Sequence, residues 1–403
     1  MKKMKNKKII NRIIDIAILL PFAYFPKYNI LHTKLELVFE AYSIFVFMII
    51  AILFFRKKGF KIPTIILLIG LMYFVPFIVT ATYGDHQMIR YAIKILLGNV
   101  SLALLISYNI PDRTKEFLQS SILFFGALVF INTMTFFLYY PSMISEQLSY
   151  YFLGNDNGTI YETFIFIYLS LVYFNMYKEK IPIYFYLIVI FIFSGYFYVK
   201  SGNGMVCMII TILFMLLYKY KYVKFFLKLR FMIPIFLALF FTIVIFRNNG
   251  LIQLVMNILD KNPTISGRTV IWDKCWQFIG QHPILGNGYE NEILMEYKVD
   301  NSKLHNVILQ YLYNGGVVAL TLFLTVVGMV LNKIKASKLD DDIKNIMNFS
   351  IFLFFVISIF DFYVVKFTMI FMFLIYYFIA TTTKDQIKKG AGNEKSKRRL
   401  SKN

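Results

Sequence analysis

Between Ser266 and Asn306 the chain collects one arginine, both of its tryptophans, two histidines and a cluster of glycines, at spacings that suit chemistry on an anion. Ile265-Ser266-Gly267-Arg268 opens a segment that reads as a helix to Ile279, with Ser266 placed to cap it. Arg268, Trp272 and Trp276 then fall four apart on one helical face. An arginine beside two indoles suits a site that clamps an anion and stacks sugar rings. The same trio also suits an interfacial tryptophan belt whose arginine snorkels to lipid headgroups. His282-Pro283-Ile284-Leu285-Gly286-Asn287-Gly288-Tyr289 follows as a breaker-rich turn. Asn301 or Ser302 next caps a helix that carries His305, and Asn306, Gln310 and Tyr313 continue a polar stripe down it. His305 stands where that helix enters an apolar segment, as a base beside a groove or as a structural helix-entry residue.

Other ionisable side chains lie inside apolar segments, where charge is expensive and faces a partner or a water-filled cavity. They are Glu36, Glu40, Arg90, Lys94, Glu162 and Asp361. Glu36 and Glu40 share a helix face, and so do Arg90 and Lys94. Two readings stand for these pairs: mutual neutralisation that holds helices together, or an anion site. The chain carries no P-loop, no glycine-rich dinucleotide fingerprint after a strand, and no zinc or EF-hand spacing. A nucleotide-driven enzyme is therefore not expected, and no metal or other cofactor is. Two cysteines, Cys207 and Cys275, make no disulfide framework, and a bridge between them requires both to lie near one surface.

These residues must be positioned by membrane helices. Of 403 residues 58% are hydrophobic and only 16% charged, too apolar for a soluble domain of this size to cover its surface. Helices are expected at Ile9–Phe25, Leu35–Phe55, Ile62–Ala81, Gln87–Ile106, Phe117–Tyr140 and Thr159–Tyr177. Six more follow at Ile181–Val199, Gly204–Tyr218, Phe231–Phe246, His305–Leu331, Ile346–Val364 and Phe367–Thr382. Each is near the roughly 20 residues that cross a bilayer. The start (Met1 to Lys8, then an apolar run) resembles a signal peptide without a small-residue cleavage site, so it reads as a retained first helix.

Net charge is +21, but the basic residues sit in short runs between apolar stretches, which argues against nucleic acid. Lys and Arg number 31 on one set of alternate connections, the two termini included, against four on the opposite short loops. By the positive-inside rule both termini are cytoplasmic and the long loop faces outward. The expected organisation is helices one to nine over 1–246, the outer loop with short helices over 247–304, three more spans over 305–383 and a basic tail over 384–403. Gly250–Asp260 has apolar residues at helical spacing and is expected to lie along the membrane surface. The whole is an all-α polytopic integral membrane protein of about twelve transmembrane helices with one large extracytoplasmic loop.

The order Ser266-Gly267-Arg268, Trp272, His282-Pro283-Ile284-Leu285-Gly286-Asn287-Gly288, His305-Asn306 and Gly315-Gly316 resembles the O-antigen ligase and Wzy-type polymerase superfamily. Gly154-Asn155-Asp156-Asn157 resembles that family's glycine-asparagine loop. Lys200-Ser201-Gly202-Asn203-Gly204 departs from it, lacking the arginine that members often carry there.

The resemblance implies a fold similar to the GT-C-like enzymes that use lipid-linked donors. It also implies glycosyl transfer at the outer leaflet of a bacterial cytoplasmic membrane. The substrate would be an oligosaccharide on undecaprenyl pyrophosphate, within a pathway that includes a chain-length regulator and a flippase. Such a donor is already activated, so the reaction needs cations for the departing pyrophosphate and a base for the acceptor hydroxyl. On that reading Arg268, Arg90 and Lys94 take the pyrophosphate and His305 is the base. Trp272, Trp276, Tyr289 and Asn306 contact sugars. A polymerase of surface-polysaccharide repeat units is preferred over a ligase that moves finished glycan to a lipid core or other acceptor. A lipid-linked oligosaccharide transporter is the rival from another class; it should carry polar residues through the bilayer midplane.

Overall fold

The structure, a computed structural model, describes residues 2–23, 33–59, 61–146, 151–246, 250, 268–289, 304–362 and 366–382. Several readings above lie outside them: the Ser266 cap, the Asn301 or Ser302 cap, the interfacial helix over 251–260, the side chain of Glu36, and the tail. Described residues are helical throughout, apart from turns and one isolated bridge between Tyr151 and Gly154.

In chain order the helices are α1 (Lys2–Leu19), α2 (Thr33–Lys58), α3 (Thr64–Tyr83), α4 (His86–Glu146), α5 (Ile160–Tyr177), α6 (Ile183–Tyr198) and α7 (Gly202–Leu217). A short α8 (Lys221–Phe226) precedes α9 (Leu229–Phe240), which runs on into a π-turn to Ile245. Then come α10 (Arg268–Gln281), α11 (Val307–Ala336), α12 (Asp341–Phe360) and α13 (Thr368–Thr381). The described part of each apolar segment read from the sequence lies mostly on a helix, with Gln87–Ile106 and Phe117–Tyr140 both on α4. Among the described residues six helices are long and apolar enough to cross a membrane, and four shorter apolar ones accompany them.

Burial explains the apolar excess. The helix α5 is covered almost all round, while α6 presents Ile183, Leu187, Ile190 and Phe197 outward at helical spacing. Apolar surface on that scale, left bare on a single chain, marks contact with lipid. Only a helix can stand there, since lipid offers backbone groups no partner.

Two elements differ from the sequence reading. The connection expected between Gln87–Ile106 and Phe117–Tyr140 has no length: two helices meet at Arg113, whose φ of −129° and ψ of 30° leave the helical region. Pro111 removes a backbone N–H just before the bend, and the Arg113 guanidinium reaches back to Asp15 at 3.1 Å.

The second difference is in α11, which breaks at Gly315 and Gly316. The 283–288 turn is spliced into the break. Asn287 N–H donates to Tyr313 O at 2.7 Å and Gly288 N–H to Asn314 O at 2.9 Å. In return Val317 N–H donates to Pro283 O at 2.9 Å and Val318 N–H to Ile284 O at 3.3 Å. In an unbroken helix residues 317 and 318 would have bonded 313 and 314. The turn takes over both rungs, so these four backbone groups keep partners at the break.

Close approach demands glycine here. A Cβ on Gly316, at φ +61°, would stand 2.1 Å from Ile284 O, and one on Gly286 would stand 2.5 Å from Tyr313 O. Both cysteines are free and buried, so no Cys207–Cys275 bridge forms.

Candidate active site

His305 precedes α11 in a left-handed conformation, φ +54°, which is uncommon outside glycine. Asn306, wholly buried, caps the helix by accepting from the N–H groups of Ile308 and Leu309, and its own amide donates to Ile359 O at 3.2 Å. Leu304 is held from both sides. Its N–H donates to Gln310 Oε1 at 3.0 Å, and its carbonyl accepts from Trp272 Nε1 at 2.9 Å. His305 is thus fixed by its neighbours on the chain, and its ring is fixed by Asp361.

Asp361 ends α12, is 0% exposed, and stands 2.9 Å from His305 Nδ1. A carboxylate only accepts hydrogen bonds, so it holds the proton of a neutral ring on Nδ1 and turns the Nε2 lone pair away from Asp361. The Tyr161 hydroxyl, on the first turn of α5, donates to the Asp361 carbonyl. Asp361 therefore joins α5, α11 and α12 at one point.

The glycine-asparagine loop packs beside this pair. Asn132 accepts the Leu153 N–H at 2.8 Å, and Ser201, the cap of α7, donates its hydroxyl to Asn157 Oδ1 at 3.1 Å. The two stretches Gly154–Asn157 and Lys200–Gly204, remote in sequence, are therefore in contact. Lys200, at φ +54°, is another left-handed non-glycine residue. Burial pushes the Asp156 carboxyl above the usual carboxylate range; hydrogen bonds to Ser201 and to the Asn157 backbone pull it back, and the charge of Asp361 raises it further. Hence Asp156 lies within electrostatic reach of the group that holds His305.

Four helices begin around this cluster. The chain enters α5 from the loop, α7 from Ser201, α11 from Asn306 and α13 two residues after Lys366. Their N-terminal ends carry partial positive charge, and a polar anion is favoured near them.

The sequence-read site residues divide. Trp272 is 0% exposed, in a cluster with Phe240, Cys275, Leu304, Leu309 and Tyr313, so both faces of its indole are covered by protein. Tyr289 is 2% exposed, edge-on to Tyr91 with its N–H on Thr80. With Asn306 these residues shape the site from inside. Trp276 is 37% exposed. Arg268 heads α10 one turn before Trp272, about 6 Å along the helix from the residue that holds Leu304. Arg90 is hydrogen-bonded to Glu40, and Lys94 lies 3.9 Å from the same carboxylate. Glu40 so ties α2 to α4 while facing two cations, and neither cation is bonded to His305.

Asp361, on His305, and Lys366, on Glu162, stand beside the site; the sequence marks Asp361 only as an ionisable residue in an apolar segment and does not mark Lys366. Among the described residues no group of three or more His, Cys, Asp or Glu could hold a metal ion.

Residues 187–324, from α6 into α11, match the O-antigen ligase family (Wzy_C). No curated protein and no solved structure matches the chain. The matched stretch contains Ser201, Arg268, Trp272, the spliced turn, His305 and the broken helix, and it lends nothing to a transporter. This multi-pass membrane protein thus carries, over residues 187–324, a stretch similar to the O-antigen ligase family.

Proposed function

We propose that this protein polymerises lipid-linked oligosaccharide repeat units, transferring glycan from an undecaprenyl-pyrophosphate donor to the next unit at the outer leaflet of a bacterial cytoplasmic membrane. The observation that carries the reading is the His305–Asp361 pair at the head of the broken helix, with His305 inside the family-matched stretch. His305 Nε2 takes the proton of the acceptor hydroxyl as that oxygen attacks the anomeric carbon. The bond to the pyrophosphate breaks, and undecaprenyl pyrophosphate leaves with its electron pair. Arg268 and the convergent helix starts stabilise the growing negative charge. Arg90 and Lys94, shared with Glu40, form the outer rim that attracts the donor. Trp276 offers the sugar-stacking face.

Twelve spans, cytoplasmic termini and an outward loop complete the reading. They are supported by the imbalance of 31 basic residues against four. A chain-length regulator and a flippase would act before and beside it.

The family description, O-antigen ligase, favours a second reading in which finished glycan is moved to a terminal acceptor. One assay separates them. Purified protein is given only a pyrophosphate-linked repeat unit, and the product is sized on a gel. A ladder of multiples is expected. No ladder, with transfer appearing once a lipid core or other terminal acceptor is added, makes the protein a ligase. Failure of both arms with folded protein ends the glycan-transfer reading.

A further inference from the structure

Lys366 lies in the short connection from α12 to α13, five residues after Asp361, and is 6% exposed. Its ammonium is 2.9 Å from Glu162 Oε1 and 3.0 Å from Oε2, 2.8 Å from Gly158 O and 3.3 Å from Leu153 O. An ammonium has three protons, and all of them are spent on these buried oxygens. Lys366 is thus closed to a substrate phosphate. A bare buried ion pair is also an expensive way to hold helices together, since desolvation offsets most of the attraction. The two carbonyls point to another purpose. Leu153 and Gly158 are the two ends of the Gly154-Asn155-Asp156-Asn157 turn, and one ammonium draws both ends onto Glu162, in the first turn of α5.

The tip of that turn faces the site: Asn157 meets Ser201, and Asp156 is within electrostatic reach of Asp361. So one connection grips the site twice, by Asp361 on the His305 ring and by Lys366 on the turn. Resting on the glycan-transfer reading, we propose that Lys366, seated on Glu162, is a positioning residue. It locks the 153–158 turn in register with the His305–Asp361 pair, so that the two halves of the site move as one. Lys366 sets the geometry in which transfer occurs and touches no reacting atom.

Full-length protein in membranes tests this with three variants. The first is Lys366→Met, which keeps the stem and removes the donors. The second is the exchange Glu162→Lys with Lys366→Glu, which keeps an ion pair but leaves residue 366 nothing to donate to the two carbonyls. The third places Asn157→Cys with Ser201→Cys in each background, with oxidative cross-linking quantified by mass spectrometry. In Lys366→Met, kcat should fall at least tenfold with KM changed less than twofold, and cross-linking should fall severalfold. The exchange should restore folded protein without restoring turnover or cross-linking. Cross-linking undiminished in Lys366→Met overturns the proposal. Where Lys366→Met does not fold, the exchange variant decides, and wild-type turnover there reduces Lys366 to an ion-pair partner. The cross-link reports on the turn even if the wild type transfers no glycan, so the two readings fail separately.

Discussion

His305 carries two burdens that an idle helix-entry residue would avoid, a left-handed backbone and a charged partner wholly removed from solvent. Left-handed backbone at a non-glycine residue costs on the order of 1–3 kcal/mol and persists where surroundings over-determine it, as Trp272, Gln310 and Asn306 do here. Asp361 decides which ring nitrogen is free. Replacing it by asparagine keeps the size but offers an amide N–H to Nδ1, which favours the tautomer with its proton on Nε2 and blocks the base. Asp361→Asn should therefore slow transfer by on the order of 10²- to 10⁴-fold with unchanged membrane levels. His305→Gln should cost on the order of 10²-fold or more. Wild-type turnover in either variant would make the pair a structural tether. Sequence alone singled out His305 but read it as part of the helix, whereas the cap is Asn306 and His305 stands just before it in a left-handed conformation. Sequence could not supply the pair, because the two residues are 56 apart and no local spacing announces a contact of that range.

At the scale of elements, apolar runs and their polar interruptions located the helices, because lipid admits little else. Connections were read less well. A Pro111 bend looked like a loop, and the stretch His305–Leu331 looked like one unbroken helix. The break in α11 was hidden since its cause is a partner segment: Gly315-Gly316 can continue a helix, and only the docked 283–288 turn makes interruption the lower-energy choice. The turn itself was legible from His282-Pro283 and its glycines. The splice is unforgiving at Gly316, where a methyl group meets the Ile284 carbonyl at 2.1 Å in a backbone region that only glycine populates. Gly316→Ala should lose about 2 kcal/mol or more, seen as a lower thermal midpoint in detergent, and most of its transfer activity. Alanine at Gly328, which faces open space in the regular part of the same helix, should leave both unchanged. Equal tolerance at the two positions would mean that the turn does not dock as described.

For the whole molecule, the proposed reaction depends on which side of the membrane the site opens. An outward site is favoured by 31 basic residues against four, a bias set when the chain inserts and independent of any later contact. All of the site's pieces, the 151–159 loop, Ser201, α10, His305 and Asp361, collect at one end of α5, α7, α11 and α12. Lys178, Lys219 and Lys338 lie at or just beyond the other end of these helices. Polyprenyl-linked donors that have been flipped are met only outside, so orientation and chemistry stand or fall together. The two native cysteines give little background for testing it, because both are buried and burial raises the Cys275 thiol well above its usual range. Gln277→Cys, exposed on α10, should react with a membrane-impermeant maleimide added to intact cells. Ser401→Cys in the basic tail should react only after lysis. The opposite pattern would place the His305 site in the cytoplasm, where an outer-leaflet donor cannot reach it, and would remove the polymerase and the ligase together.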